Sequence, residues 1–428
     1  VGRDEQSPPI ATFGDKFFDI DVDPPLRQFR GMKDVFSGSF TQQEPIPESA
    51  IETAVEILRS GRLHRYNLGE NEEGETSALE REFAQFTGSK YCLAVASGGY
   101  AIATALRALG VTAGDRVLTN AFTLAPVPGA IASLGAVPVF VGVTDKLTID
   151  LNDLKTKAHL VDVLVLSHMR GHLCDMDALM AICDAAKVKV VEDCAHTMGA
   201  AWNGVPSGRH GDLACYSAQT YKHINSGEGG LLIGDDPVTM ARATMLSGSY
   251  MLYGRHGAAP DPEVFEQVKY TTPNVSGRMD HLRAAILRPQ LRDLAQQVAR
   301  WNDRYRVVET GLKGTPGLTL IERPAQETFV GSSIQFLLLD WSDEKIDQVL
   351  TRCLARGVEL KWFGGAEPSG FTSRYDSWRY APSEPMPATD RVLKGIVDMR
   401  LPLTFSVGDC ALIARIIREE VSSVFQSG

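Results

Sequence analysis

Three stretches of this 428-residue sequence hold residue types that could do chemistry on a small molecule. The first runs from Ser217 through Gln219, Lys222 and His223 to the glycine turn Gly227-Glu228-Gly229-Gly230. Its lysine sits between one apolar run and a turn that leads into another. Lysine is rarely buried, and where it is desolvated its pKa falls and it becomes a nucleophilic amine able to form an imine. The plain alternative is a surface lysine in a loop, against which the small, apolar surroundings speak. The second stretch is Glu192-Asp193-Cys194-Ala195-His196, directly after the apolar run 188–191. A carboxylate at the end of a buried strand is costly unless a cation or donor pairs with it, so Asp193 is either a binding group or a helix cap. His196 alone reads as a hydrogen-bonded structural histidine. The third is Ser97-Gly98-Gly99-Tyr100, where two glycines let backbone N–H groups approach an anion at a helix start, or simply make a tight turn.

Each stretch follows a short β-rich run, and the pattern around them says what positions them. Apolar runs at 91–96, 116–119, 137–141, 161–166, 188–191, 213–217 and 230–233 alternate with helical stretches at 99–109, 126–134 and 176–186. Continuous runs of this kind imply an α/β fold with a mainly parallel seven-stranded sheet covered on both faces. Ligands in such sheets collect beyond the C-terminal strand ends, where the three stretches fall. Upstream, Ile51, Ala54, Val55 and Leu58 share a helical face, and Ser77 and Glu80 have capping-box spacing ahead of a helix through Phe83. Beyond Arg278 a long helical stretch containing Pro289 reaches about Leu312. Strand candidates at 318–322, 333–339 and 358–362 and helices at 345–355 and 409–425 follow, an α+β pattern. The expected organisation is an arm over 1–45, a large domain over 46–300 and a small C-terminal domain over 301–428. The arm is either a tail or an extension across a partner subunit.

Taken together, the three stretches fit one ligand, with a phosphate for the glycine turn, an aldehyde for the lysine and a heterocyclic nitrogen for the carboxylate. Pyridoxal 5′-phosphate (PLP) has all three parts. Lys222 would form the Schiff base, Asp193 would keep the ring nitrogen protonated, and Gly98, Gly99 and Ser217 would hold the phosphate.

The order of these phrases, with Ser60-Gly61-Arg62-Leu63 before them and Asn120-Ala121-Phe122-Thr123 and Gly135-Ala136-Val137-Pro138 between, resembles the DegT/StrS family of PLP-dependent aminotransferases of fold type I. The resemblance runs from about Glu48 to the C-terminal helix. It implies a transaminase that moves an amino group from glutamate or glutamine to a ketone on a sugar or cyclitol, working as a homodimer in sugar biosynthesis. Lys222 would be the Schiff-base and proton-transfer residue, and Asp193 the pyridinium partner. His196 or Gln219 would lie near the ring hydroxyl. The sequence departs from the family at three places. Gly99 replaces a turn threonine. Phe122 or Leu124 must supply the aromatic or apolar contact to the ring. Ser276 stands where an asparagine would reach the neighbouring subunit's phosphate, with Asn274 two places earlier. Arg170 and His172, after one strand, and Arg255 and His256, in a loop resembling the family's Arg-x-His-Gly, are substrate candidates. His168 and His172 have no third ligand in their loop, so no metal is expected. Two other readings stay open: a diverged enzyme of this fold doing lyase or carbon–carbon bond-forming chemistry, and a non-catalytic regulatory protein. The second would be expected to lose Lys222 or Asp193.

Composition narrows the partners. With 43 Lys+Arg against 53 Asp+Glu, the net charge is −10, which argues against a nucleic-acid groove or an anionic membrane surface. The start of the chain does not read as a secretory signal. The seven cysteines include no Cys-x-x-Cys pair, which speaks against a disulfide framework and fits a reducing cytoplasm.

Overall fold

The computed structural model describes residues 34–69 and 72–427, so most of the expected arm lies outside the described residues. The apolar runs form one sheet of seven strands: β1 (Tyr91–Val95), β2 (Arg116–Asn120), β3 (Val137–Val141), β4 (Val163–Ser167), β5 (Lys189–Asp193), β6 (Leu213–Ser217) and β7 (Gly230–Gly234). Their spatial order is β1-β7-β6-β5-β4-β2-β3. The β2–β3, β2–β4, β4–β5 and β5–β6 pairs are parallel, while β7 is antiparallel to both β1 and β6. Six strands therefore point the same way, and β7 alone is reversed.

The reversal has a local cause. A parallel neighbour needs a crossover connection, but an antiparallel one can be reached by a loop alone. Residues 218–229 make such a loop between β6 and β7, pinned by Ala218 N–H to Gly229 O (2.9 Å) and Ser226 N–H to Ala218 O (3.0 Å). Gly227 supplies the left-handed turn at φ 81°. Lys222 rides on this loop, at the strand-end edge of the sheet.

Helices cover both faces. On one side Leu79 and Phe83 pack with Leu118, Leu164 and Leu231; on the other Ile102, Ala105 and Leu106 pack with Val117, Val165 and Leu232. The capping box expected at Ser77 and Glu80 does not form. The helix begins at Glu75, behind Gly74. Ser77 lies inside it, its hydroxyl donating to Arg255 O at 2.6 Å, and Glu80 is fully buried and paired with Arg65.

A second sheet has the order Thr319–Leu320, Ser333–Leu337, Ile396–Arg400, Lys361–Trp362, all antiparallel. Helices Asp343–Ala355 and Val407–Gln426 pack on it around Phe336, Ile346, Val397 and Ile413. The strand Ile396–Arg400 was not foreseen, because Asp398 interrupts its apolar pattern although it is fully buried. Helix His281–Leu312 joins the two cores. Leu287, Leu291 and Leu294 belong to the first, and Tyr305, Val308 and Leu312 to the second; Pro289 leaves the helix unbroken. At the described end of the arm, Phe36 and Phe40 lie edge-on to Phe405 at 4.8 and 4.9 Å.

Candidate active site

The loops after β1, β4, β5 and β6 open onto one cleft of about 640 Å³. Lys222, Asp193, His196, Ser217, Gln219, Gly98, Gly99 and Arg170 all lie on its wall. The Lys222 amine is 2.9 Å from His196 Nε2. Burial, and then the nearby Arg170 guanidinium, push its pKa down to about 7; Asp193 opposes the fall and Arg400 adds to it. A lysine so placed carries a large neutral fraction at neutral pH, which is the form that attacks a carbonyl. The His196 imidazole is itself held well below its usual pKa, by burial and then by the Lys222 charge. It is neutral and presents a ring nitrogen to the amine.

Asp193 ends β5 and is only 8% exposed. Its carboxylate accepts from the Ser167 hydroxyl at 3.0 Å and the Ala195 N–H at 3.2 Å. Ser167 is fixed in turn by Asn120, whose side chain accepts from Ser167 N–H (2.9 Å) and donates to Ser167 O (3.0 Å). The ends of β2, β4 and β5 are thus stitched together behind the cleft. Strand alternation sends the preceding Glu192 to the opposite face. There its carboxylate accepts from the backbone N–H groups of Gly208, His210 and Gly211 at 2.8–2.9 Å and meets His168 Nε2 at 2.9 Å. Burial would raise the Glu192 pKa, but these hydrogen bonds prevail and hold it far below the usual range. Cys194 lies near His168 and Glu192, but the carboxylate's lone pairs are already engaged.

The glycine turn has the make-up of an anion cradle. Helix Gly98–Ala108 starts there, with the Ser97 hydroxyl capping Tyr100 N–H at 3.1 Å. Its first turn has N–H groups with no intrahelical partner, at the positive end of the helix dipole. A Cβ on Gly98 would come within 2.9 Å of Ser217 Cβ, so the turn and the end of β6 touch. The Ser217 hydroxyl also accepts from Gln219 N–H at 3.3 Å. At Gly99 a Cβ would meet Pro126 Cβ at an ordinary 3.5 Å. Amide donors with a hydroxyl at one end, an amine at neutral poise and a buried carboxylate fit PLP part by part.

Not every candidate lines this cleft. Phe122 is buried against the Phe363 ring (5.2 Å between centroids), and Leu124 and Ala125 form the wall instead. His172 Nε2 is turned to Gln335 at 2.8 Å. Arg255 donates to Tyr66 O at 2.9 Å, and His256 meets the Tyr66 hydroxyl at 2.7 Å beside the Arg65–Glu80 pair. Ser276 is exposed, and Asn274 accepts from Tyr250 N–H of a preceding segment of the same chain. Conversely, Ser167, Tyr221, Phe371 and Arg400 line the cleft without having been singled out. Ser167 closes β4, the one signal that the strand-end rule could have used. Arg400 closes a strand whose mixed pattern hid it.

A desolvated lysine, a buried acid and a glycine turn at a helix start, on one edge of a mostly parallel sheet, match the needs of a PLP enzyme of fold type I. The chain belongs to the DegT/DnrJ/EryC1/StrS aminotransferase family, whose model matches residues 45–417. The L-glutamine:2-deoxy-scyllo-inosose aminotransferase of Streptomyces lividus is 30% identical over 277 residues, 62% of this chain and 64% of that protein. GDP-perosamine synthase of Vibrio cholerae is 29% identical over 61% of this chain and 68% of that one. The PLP-form of Spr1654 from Streptococcus pneumoniae superposes with a TM-score of 0.74 at 19% identity, covering 91% of this chain and all of that one. The protein is a PLP-dependent aminotransferase.

Proposed function

We propose that this enzyme moves an amino group from glutamine or glutamate to a ketone on a cyclitol or sugar. The observation that carries the reading is the Lys222 amine, at neutral poise, in the same cleft as the buried Asp193 and the glycine cradle. The likeness to a glutamine-dependent inosose aminotransferase supports the donor and the cyclitol acceptor.

PLP, when bound, supplies a carbonyl carbon that takes up amines and a ring that accepts electrons. The chain's own residues do the rest. Asp193, oriented by Ser167, is the partner for the ring nitrogen and favours its protonated form. Gly98, Gly99 and Ser217 would hold the phosphate, and Gln219 and His196 would border the ring. Lys222 would hold the cofactor through its amine, and the same amine would take up and give back the proton in the transfer. His196, neutral at hydrogen-bond distance, steers the lysine amine and accepts from it.

The enzyme is proposed to act as a homodimer. Supporting this, Tyr250, Met251, Tyr270 and Val275 expose large apolar side chains on neighbouring segments around Ser276. A cytoplasmic setting is supported by seven unpaired, buried cysteines. Among the described residues no helix is long and apolar enough to cross a membrane.

Absorbance spectroscopy of the PLP-loaded protein tests the reading. Glutamine or glutamate should discharge the visible cofactor band, and one ketone from a panel of inososes and keto sugars should restore it. A band that no amine discharges, while a sugar is eliminated or coupled, would point to lyase or bond-forming chemistry instead.

A further inference from the structure

The three residues after Lys222 each grip a different part of the molecule. His223 Nε2 is 2.9 Å from the Ser332 hydroxyl, at the head of the second sheet's strand Ser333–Leu337. Ile224 is fully buried in the first core. Asn225 N–H donates to the Gln290 side chain at 3.0 Å, and Gln290 Nε2 donates back to Asn225 O at 2.8 Å, which ties the loop to the helix joining the two cores. Ser332 is itself fixed, because its carbonyl accepts from Leu401 N–H at 2.9 Å.

The tie through His223 is not a packing contact. The residue is only 7% exposed, yet its Nδ1 is buried with no hydrogen-bond partner. A buried polar atom left unpaired is costly, and an apolar side chain in the same place would avoid that cost. Nor is the ring gripped on all sides. It meets the Trp301 ring edge-on at 5.2 Å, and beside both lies a cavity of about 80 Å³ that Lys222, Asn225 and Gln290 also line. What the position gains from histidine is the bond to Ser332. That bond joins the residue next to the lysine to the second sheet, while the lysine amine reaches His196 at the strand ends of the first.

Resting on Lys222 as the residue that holds PLP, we propose that His223 is a positioning residue: through Ser332 it seats the lysine loop against the second sheet and so fixes where the amine stands. An amine that must meet one atom of a bound molecule tolerates little drift, since a displacement of about 1 Å can cost a hundredfold in rate. A neutral ring suits the task, because it adds no charge beside the amine. Burial, and then the Lys222 charge, bring the His223 pKa down to about 3, so the ring is neutral at neutral pH. The charges around the amine are Arg170 after β4, Asp193 on β5 and Arg400 on the second sheet, with the neutral His196 in contact. Loosening the loop changes the depth of the lysine among these groups without removing any of them.

The test compares Ser332→Ala, His223→Leu, His223→Gln and the double variant Ser332→Ala/His223→Leu with the wild type. Ser332→Ala removes the bond without touching the lysine loop. Two quantities are read: the pH midpoint at which the apoprotein captures PLP, and kcat of the loaded enzyme with glutamine or glutamate. A lysine held less deeply should capture PLP with a midpoint about half a pH unit or more above that of the wild type, toward the ordinary lysine value. kcat should fall about tenfold, while KM for the donor changes less. A general loss of stability would lower the melting temperature and leave that midpoint in place. His223→Gln, whose amide reaches about as far as Nε2, should recover part of both. The double variant should lose no more than the worse single variant, since both changes remove one bond. A wild-type midpoint in Ser332→Ala overturns the proposal, as do losses in the double variant equal to the product of the single ones. Should His223→Leu fail to fold, Ser332→Ala decides alone. Failure of the Lys222 tether looks different: borohydride then attaches PLP to another residue in the wild type, whatever Ser332→Ala does.

Discussion

The Lys222 amine and His196 Nε2 stand 2.9 Å apart, and both groups are depressed in pKa by the same burial. At neutral pH the His196 ring is neutral and Lys222 is close to half-protonated, so the pair works as donor and acceptor rather than as two repelling cations. Removing the ring tests this. In His196→Ala the lysine amine loses its partner but keeps its tether, so PLP should still attach. kcat is expected to fall by roughly 10- to 100-fold, with KM for the donor little changed.

The lysine's poise predicts a pH profile. Burial first, then Arg170, lowers its pKa from 10.5 to about 7, against the pull of Asp193. The neutral amine is the form that captures PLP, so capture by the apoprotein should speed up as pH rises toward about 7 and level off above it. An ordinary lysine would keep gaining up to about pH 10. In Asp193→Asn the charge that opposes the fall is gone, and the midpoint of the capture-rate profile should move to lower pH.

The same two residues separate tethering from electron withdrawal. Lys222→Ala should lower turnover by about a thousandfold or more and abolish covalent trapping of the cofactor by borohydride. Asp193→Asn should keep the trapping, because the amine remains, yet lose most of kcat, because the ring nitrogen no longer has a carboxylate to hold its proton. Mass spectrometry after borohydride and steady-state rates distinguish the two patterns.

The adjacent glycines of the cradle should respond in opposite directions. A Cβ at Gly98 would press on Ser217 at 2.9 Å, so Gly98→Ala should push the turn off the end of β6 and weaken PLP binding. At Gly99 the nearest atom is 3.5 Å away, so Gly99→Thr should be accommodated. Its hydroxyl, at a helix start facing the anion, should tighten PLP by several-fold, about one hydrogen bond's worth. Fluorescence titration of the apoproteins with PLP reads both.

Why these residues and not others were readable follows from their chemistry. Lys222, Asp193 and the glycine turn each follow an unbroken apolar strand, where a polar residue or paired glycines stand out, and the strand-end rule places them together. Most strands of the large sheet were legible for the same reason, since burial on both faces leaves runs such as Leu213–Ser217 unmixed. Arg400 was hidden because its strand carries Asp398, buried through Gln335 and Arg170, contacts that no local pattern announces. Phe122 misled in the opposite way. Its position in a family-like phrase suggested the cofactor, but a large ring finds more apolar contact in the core beside Phe363. Ser77 and Glu80 matched a capping box by spacing alone, and long-range ion pairing overrode that local motif.

That buried ion pair yields a stability prediction. Glu80 and Arg65 are both fully buried and joined by two hydrogen bonds of 2.9 Å. The same carboxylate accepts from Ala94 N–H in β1 and Gly257 N–H, and meets His256. Burial would raise the Glu80 pKa, but the charges of Arg65 and His256 outweigh it and bring it to about 2. A carboxyl depressed from 4.5 in the unfolded chain to about 2 in the folded one stabilises the fold fully above pH 4.5. That contribution is lost as pH falls through this window. Glu80→Gln leaves the Arg65 charge buried without a partner and should cost about 3–5 kcal/mol at neutral pH. It should also flatten the acid limb of the stability curve between about pH 4.5 and 2, where the wild type loses stability by protonating this group. Urea unfolding across that pH range checks both. An acid limb as steep in Glu80→Gln as in wild type would assign the acid sensitivity to other carboxylates. Because Glu80 grips β1 just ahead of the Ser97 turn, the variant should also bind PLP more weakly without any change at a residue that lines the cleft.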